Sequence, residues 1–278
     1  MTSQRSTKDL RIVFAAQDIT KSISDVSPFP RRFGGMADIH QGVWASDSGN
    51  QKVTVAIKFI CSGDDELDKT LRRHRREIRV WHGIDHPNIL RLVGLYWGSG
   101  RKLPAMVSVW CQHTNLRNYV KELLPGPEAM AQKYSLLEQI ISGLDHLHSQ
   151  SPPIVHGDLK GDNILLSADG IPKICDFGLS KIIEVTTETS TRVRGTCRWM
   201  APELLLEEKP VSAPGDIWAH ACVIVEVLTG LLPYSDIQKE AGVIVAQSRG
   251  QIPTRPADAS DACWNLALKC VTAQELPL

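Results

Sequence analysis

The sequence lacks a net charge, because 31 lysines and arginines balance 31 aspartates and glutamates among its 278 residues. Proteins that bind nucleic acids without sequence preference need a basic excess to neutralise phosphates. We therefore expect no nucleic-acid partner. The content of 42% hydrophobic and 22% charged residues is typical of a soluble globular protein.

The sequence also lacks paired cysteines. Its cysteines are odd in number and form no C-x-x-C pair, so we expect neither a disulfide framework nor a zinc site. This usage indicates a reducing compartment, and we expect a cytoplasmic protein, with the nucleus as the alternative. The seven cysteines lie at positions 61, 111, 175, 197, 222, 263 and 270.

Long hydrophobic runs are missing as well. The N-terminal stretch "MTSQRSTKDLRIVF" has no apolar core of the kind that signal peptides carry. The longest apolar stretch, Ala219–Leu232, contains His220 and Glu226 and is too short to span a bilayer. We interpret it as a buried helix and expect no membrane partner.

The apolar pattern divides the chain into two regions. Val53, Val55, Ile57 and Phe59 alternate with other residues as in a half-buried strand, and residues up to about 110 favour strands with one helix. Later residues favour helices. The pattern predicts an α+β fold of one domain with two lobes.

We place the N-lobe at about 28–110 and the C-lobe at about 111–278. Residues 1–27 are polar and weakly patterned, so we predict an N-terminal extension with a short helix at 9–23.

Polar residues collect in "IVHGDLKGDNILL", residues 154–166. Apolar runs on both sides predict a loop pinned between buried segments, which suits a functional site, although its glycines and aspartates are equally typical of a turn. Further on, a turn in "SADGIPK" would bring Asp176 back toward Asn163. Carboxylate and amide oxygens are ligands that suit Mg²⁺.

Lys58 lies on the strand "KVTVAIKFI" and could meet phosphate oxygens if a carboxylate held it. The long helix of this region offers Glu77 for that purpose. The basic run "RRHRREIR" at 72–79 is interpreted as a solvated helix face rather than as a nuclear signal or a nucleic-acid patch.

Taken together, the sequence resembles a eukaryotic protein kinase, and the resemblance covers residues 28–278. It implies a bilobal kinase fold, transfer of phosphate to protein substrates, and the use of ATP and Mg²⁺. Five motifs carry it in the family's order: V-A-I-K at 55–58, H-x-D-L-K-x-x-N at 156–163, D-F-G at 176–178, A-P-E at 201–203 and D-x-W at 216–218.

The resemblance implies a role for each matching residue of the loop. Asp158 would accept or orient the proton of the attacking hydroxyl, and Lys160 would contact the transferring γ-phosphate. Asn163 and Asp176 would hold Mg²⁺. We expect His156 to brace the loop rather than to take a proton.

The same resemblance places the nucleotide. Lys58 would contact its α- and β-phosphates and pair with Glu77. The other nucleotide-binding candidates belong to the glycine loop, the adenine pocket, the gatekeeper and the hinge: Gly34, Gly35, Ile39, Ala56, Leu165, Ser108 and Trp110.

The subtype that the sequence resembles is the serine/threonine kinase. Lys160 stands where tyrosine kinases usually carry "AAR" or "RAA", and Thr196 matches a threonine of serine/threonine kinases. "WMAPE" and the "VWC" hinge are similar to the tyrosine-kinase-like branch. "HGDLKGDNILL" is similar to kinases common in mushroom-forming fungi.

Three departures bear on activity. In the glycine loop "RFGGMADI", Arg32 and Ala37 replace two of the family's glycines. Gly157 replaces an arginine that pairs with a phosphate on the activation loop, so we expect no need for phosphorylation through that contact. The third is an expectation that the C-lobe is truncated, because no arginine after Trp264 can pair with Glu203.

We expect an active kinase, provided that Glu203 finds another partner, for which Arg198, Arg255 and water are the candidates. A catalytically weak or inactive pseudokinase that acts as an interaction scaffold is the alternative. A small-molecule phosphotransferase of related fold is a third reading, and the A-P-E motif argues against it.

Overall fold

Two units make up the chain in a computed structural model. The first comprises Met1–His86 and Leu90–Cys111, and the second comprises Pro87–Ile89 and Gln112–Leu278. The structure describes residues 16–34, 37–45, 51–61, 67–98, 100–101, 103–113, 115–182, 197–207, 209–257 and 259–272.

An antiparallel sheet dominates the first unit. Its order is β1-β3-β4-β6-β5, and β2 also pairs with β3. The strands are β1 (Ile23–Ser24), β2 (Arg32–Gly34), β3 (Ala37–Ala45), β4 (Lys52–Ile60), β5 (Leu92–Tyr96) and β6 (Ala105–Val109).

The alternation along β4 decides which face of the sheet is buried. Val55, Ile57 and Phe59 are buried and pack against Ala105 and Val107 of β6. Burial of each large apolar side chain contributes roughly 1.5–3 kcal/mol to folding. Successive strand residues point to opposite faces, so the residues between them, including Lys58, belong to the other face.

A segment that precedes β2 covers the buried face. Ile19 is buried in the same cluster, its backbone N–H donates to Leu95 O at 2.9 Å, and Leu95 N–H donates to Gln17 O at 2.8 Å. Gly94 permits this approach, because a Cβ atom there would lie 2.8 Å from Gln17 O. Residues 17–26, which we call the crossing segment, therefore belong to the folded unit.

The crossing segment is not the helix that the sequence predicted. Only the turn Thr20–Ser22 is helical, of the 3₁₀ type, and Ile23–Ser24 forms β1 against β3. The prediction was wrong for residues 16–23, because pairing with β5 and β3 overrides local propensity. Its remaining part lies outside the described residues.

The predicted helix of the first unit is α1 (Leu67–Trp81). Ile78 and Trp81 are buried along its apolar stripe, as the helical spacing predicts. His74 is also buried, and its Nε2 lies 2.7 Å from Pro104 O. Burial lowers the pKa of His74 to about 4, so this imidazole is neutral near pH 7 and can donate that bond from Nε2.

Helices dominate the second unit, which confirms the predicted α+β division. The described helices are α2 (Leu116–Glu122), α3 (Pro127–His148), α4 (Pro202–Leu206), α5 (Ala213–Thr229), α6 (Glu240–Ser248) and α7 (Asp261–Thr272). Among the described residues, no helix is both long enough and apolar enough to cross a membrane.

Helix α5 is the buried helix that the apolar run predicted. The Ser212 side chain caps it by accepting from Gly215 N–H, and Gly230 ends it in a left-handed conformation with φ of 69°. Nearly all its residues are buried, including His220 and Glu226. Burial lowers the pKa of His220 to about 4, so His220 is neutral inside the helix near pH 7.

Short strands fix the loops beside α5. β7 (Ile154–Val155) pairs with β10 (Lys181–Ile182), and β8 (Ile164–Leu166) pairs with β9 (Pro172–Ile174). Each pair is antiparallel. The chain between β7 and β8 is the polar loop of the sequence analysis, and it is held at both ends by these pairs.

Candidate active site

Lys58 and Glu77 form an ion pair within the first unit. Lys58 Nζ lies 2.8 Å from Glu77 Oε1, and the Glu77 side chain is only 7% exposed. Strand β4 supplies the lysine and α1 supplies the glutamate, as the sequence predicted. The pair holds the ammonium group on the face of the sheet opposite the apolar cluster.

Other predicted nucleotide-binding residues share the sheet face of Lys58. Ile39 lies opposite Lys58 in the β3–β4 register, and Ala56 lies opposite Ser108 in the β4–β6 register. Directly opposed residues point to the same face, and residues two apart on one strand do so as well. The sheet thus places Ile39, Ala56, Ser108 and Lys58 together.

The glycine loop is described only in part. Gly34 ends β2 opposite Ala37, whereas Gly35 lies outside the described residues. Arg32, at the position of a family glycine, holds its guanidinium carbon 5.8 Å from the ring centroid of Trp110. This cation–π contact was not predicted, although an arginine in a glycine position was a visible signal.

In the second unit, Asp158, Lys160 and Asn163 form one hydrogen-bonded group. Lys160 Nζ lies 2.8 Å from Asp158 Oδ2, and Asn163 Nδ2 donates to the same oxygen at 2.9 Å. Asn163 Nδ2 also donates to Asp158 O at 2.8 Å. Within the described residues, the buried Asp158 Oδ1 accepts no hydrogen bond, which leaves one carboxylate oxygen for a further donor.

Asp216, at the start of α5, holds the backbone that directly precedes Asp158. Its Oδ2 accepts from His156 N–H and its Oδ1 accepts from Gly157 N–H, both at 2.8 Å. His148 Nε2 lies 2.9 Å from Oδ2. The D-x-W motif pointed to Asp216, but nothing in the sequence indicated His148.

His156 fills the space behind the loop. Its ring is fully buried, with Nδ1 3.2 Å from the Asp158 N–H nitrogen and Nε2 3.1 Å from Cys175 O. It also packs edge-on against Phe177 at 5.4 Å. Because both ring nitrogens are engaged, the geometry favours the bracing role that was expected of His156.

The backbone conformation at position 157 favours glycine. Its φ is 77°, and a Cβ atom would lie 3.0 Å from Val211 Cγ1 and 3.3 Å from Leu179 O. A larger side chain would therefore be strained here. The hydroxyl residues of the activation loop, Thr186, Thr187, Thr189, Ser190 and Thr191, lie outside the described residues.

Asp176 follows β9 and lies beside the end of the loop. Cys175 N–H donates to Asn163 O at 2.9 Å, and Ile164 pairs with Ile174, so the pairing of β8 and β9 brings Asp176 near Asn163 as predicted. Asp176 has a φ of 68°, which is unusual for a residue other than glycine.

The oxygen ligands offered by Asn163 and Asp176 suit a divalent cation. The Asn163 amide nitrogen is turned toward Asp158, so its amide oxygen remains for a metal, and Asp176 adds a carboxylate. The described residues contain no group of three or more histidine, cysteine, aspartate or glutamate ligands. A Mg²⁺ ion that uses few protein oxygens together with phosphate oxygens suits such a site.

Asp162 has partners that sequence reasoning missed, having left it as a loop residue. Asn115 Nδ2 donates to its Oδ1 at 2.6 Å, and Arg117 Nη2 donates to its Oδ2. Both partners lie at the start of α2. Asp162 therefore ties the loop to that helix.

Arg198 and Arg255, the two arginines considered as partners of Glu203, form hydrogen bonds to other groups. The buried Arg198 guanidinium donates to the carbonyls of Pro233, Tyr234, Ile237 and Gln238. Arg255 donates to Ala259 O and to Asp261. Arg198 therefore holds the segment before A-P-E against the chain that follows α5.

Comparison with known proteins agrees with this arrangement. A family model described as "Protein kinase domain" matches residues 42–275. The chain is 30% identical over 257 residues to mitogen-activated protein kinase kinase kinase ANP1 of Arabidopsis thaliana, which covers 88% of this chain and 36% of that protein.

Two further relatives are similar over a comparable length. Serine/threonine-protein kinase RUNKEL of Arabidopsis thaliana is 33% identical over 220 residues, covering 78% of this chain and 15% of RUNKEL. Cytokinesis protein sepH of Emericella nidulans is 32% identical over 229 residues, covering 82% of this chain and 16% of sepH. The matched region is thus a minor part of each of these three relatives, whereas the family model spans most of the present sequence. The chain belongs to the protein kinase domain family.

Proposed function

We propose that this chain is an active serine/threonine protein kinase that transfers the γ-phosphate of ATP to hydroxyl groups of protein substrates. The observation that carries the proposal is the group formed by Asp158, Lys160 and Asn163. Two donors fix Asp158 Oδ2, whereas the buried Oδ1 has no hydrogen-bond donor among the described residues. Asp158 also lines a surface cleft, through which a substrate hydroxyl can approach its carboxylate.

The proposed reaction is a direct displacement. The substrate hydroxyl donates to the Asp158 carboxylate, its oxygen bonds to the γ-phosphorus, and the bond from that phosphorus to the bridging oxygen of ADP breaks. The hydroxyl proton passes to Asp158. Lys160 offsets negative charge on the transferring phosphoryl group, and its bond to Asp158 keeps both side chains in place.

Asn163 and Asp176 are the proposed ligands of Mg²⁺. The bound ion would supply positive charge against the phosphate oxygens. The backbone bond from Cys175 to Asn163 fixes the two ligand-bearing segments relative to each other. The family uses ATP with a divalent cation, and the choice of Mg²⁺ rests on these hard oxygen donors.

The proposed nucleotide contacts begin with Lys58 on the α- and β-phosphates, with Glu77 holding the lysine. Ile39, Ala56 and Ser108 are supported by their position on the sheet face of Lys58. The remaining candidates rest on the family's motifs: Gly34, Gly35, Trp110 and Leu165.

Serine/threonine specificity rests on Lys160 and on the similarity to serine/threonine-protein kinase RUNKEL. Membership of the tyrosine-kinase-like branch rests on "WMAPE" and the "VWC" hinge, and similarity to fungal kinases rests on "HGDLKGDNILL". We also propose that the protein acts in the cytoplasm or the nucleus.

Replacing Lys58 with methionine tests the proposal. We expect the purified wild-type protein to transfer labelled phosphate from MgATP to a generic protein substrate, and Lys58→Met to lose at least about 100-fold in kcat/KM. The loss arises because Glu77 then faces no ammonium group and the phosphates lose a cation. Lys52→Met, on an exposed position of the same strand, is the control and should keep wild-type transfer.

The competing function is a pseudokinase scaffold, and Arg32 in the glycine loop is the observation that favours it. ATP-dependent thermal stabilisation of the wild-type protein without any transfer would support the scaffold and contradict the kinase. Transfer that survives in Lys58→Met would contradict the assigned nucleotide site.

Gly157 leads to a prediction about regulation. Because glycine offers no cation for an activation-loop phosphate, we expect phosphatase treatment to leave the transfer rate within about twofold of the untreated protein. The rate with MgATP and a generic substrate is measured before and after treatment. Loss of activity on treatment, reproduced by an alanine at Thr186, Thr187, Thr189, Ser190 or Thr191, would contradict the expectation.

A further inference from the structure

Arg32 contacts a residue of the predicted adenine site across the sheet of the first unit. Its guanidinium carbon lies 5.8 Å from the centroid of the Trp110 ring, close enough for a cation–π contact. Arg32 begins β2 and Trp110 directly follows β6, and β3 and β4 lie between these two strands. The contact therefore spans two strands of the sheet.

The strand register shows which face of the sheet carries this contact. Arg32 lies opposite Ile39 on β3, and Ile39 lies opposite Lys58 on β4. At the other end, Trp110 N–H donates to Thr54 O at 3.0 Å, which continues the β4–β6 register. Thr54 and Lys58 are an even number of residues apart on β4 and so point to the same face. Both partners of the contact therefore belong to the face that carries Lys58.

The contact runs diagonally over the middle of that face. Arg32 belongs to the cross-strand row of Lys58, and Trp110 belongs to the row of Thr54. These rows are four residues apart on β4, a distance of about 13 Å. The two side chains therefore meet over the part of the face between the rows, where Ala56 lies. The proposed function places the adenine base at this part of the face.

Trp110 is the partner that holds the Arg32 guanidinium. Both side chains are partly buried, and no carboxylate of the described residues forms an ion pair with Arg32. A cation–π contact at such a site changes an equilibrium constant by about two- to fivefold. The glycine that the family has at this position would form no such contact.

A base bound beside Ala56 would compete with this contact for the same space. We propose that Arg32 and Trp110 form a latch over the base-binding part of the sheet, which an adenine nucleotide must open and which lowers the affinity for it. The inference rests on the proposed kinase function, because that function places the base on this face. The latch acts on the base and not on the phosphates.

Nucleotide affinity with and without the Arg32 side chain tests the latch. Isothermal titration of the purified protein with ATP, ADP and adenosine in the presence of Mg²⁺ gives the dissociation constants. We expect Arg32→Ala to lower all three constants by the same factor, about two- to fivefold, because adenine is common to the three ligands. Arg31→Ala removes the adjacent, exposed arginine and should leave the three constants at their wild-type values.

A second background shows whether Arg32 acts through Trp110. Trp110→Leu removes the ring that holds the guanidinium. In this background, Arg32→Ala should change each dissociation constant by less than about 1.5-fold, because the contact is already absent. An effect of Arg32→Ala that is equally large with and without the Trp110 ring would overturn the latch.

The three ligands separate a latch over the base from a contact with the phosphates. If Arg32 contacted the phosphates, Arg32→Ala would weaken the binding of ATP and ADP and leave that of adenosine unchanged. This result would overturn the latch. Unchanged affinity for all three ligands would overturn it as well.

Binding and phosphate transfer are measured separately, so the latch and the proposed function can fail separately. Tighter binding by Arg32→Ala without transfer by either protein would support the latch and contradict the kinase function. Transfer by the wild-type protein, with equal affinities in wild type and Arg32→Ala, would contradict the latch alone. If neither protein bound any of the three ligands, both the latch and the nucleotide site would be contradicted.

Discussion

Replacement of Asp158 with asparagine is expected to lower kcat by about 10²- to 10⁴-fold, the range for loss of a general base. Asparagine keeps the shape of the side chain, and the bond from Asn163 Nδ2 to the backbone oxygen of residue 158 remains possible. The hydroxyl proton loses its acceptor, and Lys160 loses the carboxylate that holds it. Steady-state transfer to a protein substrate measures the loss.

The nucleotide should still bind to this variant. Because the proposed phosphate contact, Lys58, is held by Glu77 and not by Asp158, we expect KM for ATP to change by less than about threefold. Asp169→Asn makes the same substitution in an exposed turn and serves as the control. If Asp158→Asn kept more than a tenth of wild-type kcat, Asp158 would not be the proton acceptor.

The largest loss of stability is expected from Asp216→Asn. Asp216 is 2% exposed, and its two oxygens accept from His156 N–H and Gly157 N–H. An amide can accept only one of these bonds and turns its NH₂ group toward the other donor. Bonds to a charged group contribute about 1.5–3 kcal/mol each, so we expect a loss of about 3 kcal/mol in the free energy of unfolding.

Chemical denaturation of the purified proteins measures this difference. Total domain stability is on the order of 5–15 kcal/mol, so the variant should still fold. Its unfolding midpoint should lie at a clearly lower denaturant concentration than that of the wild type. Asp145→Asn, on an exposed position of α3, should change the free energy of unfolding by less than about 0.5 kcal/mol. A variant as stable as the wild type would show that Asp216 does not anchor the loop.

The parts of the fold that local periodicity determines could be predicted from the sequence. The alternation in residues 53–59 indicated the strand β4 and its buried face, and the continuous apolar run around Val223 indicated α5. The partners Lys58 and Glu77 could be paired because one strand and one helix offered them. In each case a short stretch contained the whole signal.

The missed features depend on contacts between distant segments. Ile19 is placed by its backbone pairing with Leu95 and by the apolar cluster of the sheet. Asp162 acquires its role through Asn115 and Arg117 at the start of α2. Glu226 could have been noticed earlier, because a charged residue inside an otherwise apolar helix requires partners. The sequence could not say that Gly161 and Trp199 are those partners, since neither spacing nor composition relates them to α5.

The crossing segment pairs with backbone groups that the margins of the sheet would otherwise expose. Strands at the margin of a sheet present unpaired N–H and C=O groups that can recruit other chains. Gln17 and Ile19 satisfy such groups on Leu95 of β5, at one margin, and Ile23–Ser24 pairs with β3 near the other. One short stretch of chain therefore pairs with backbone groups near both margins of the sheet and leaves fewer of them open to another chain.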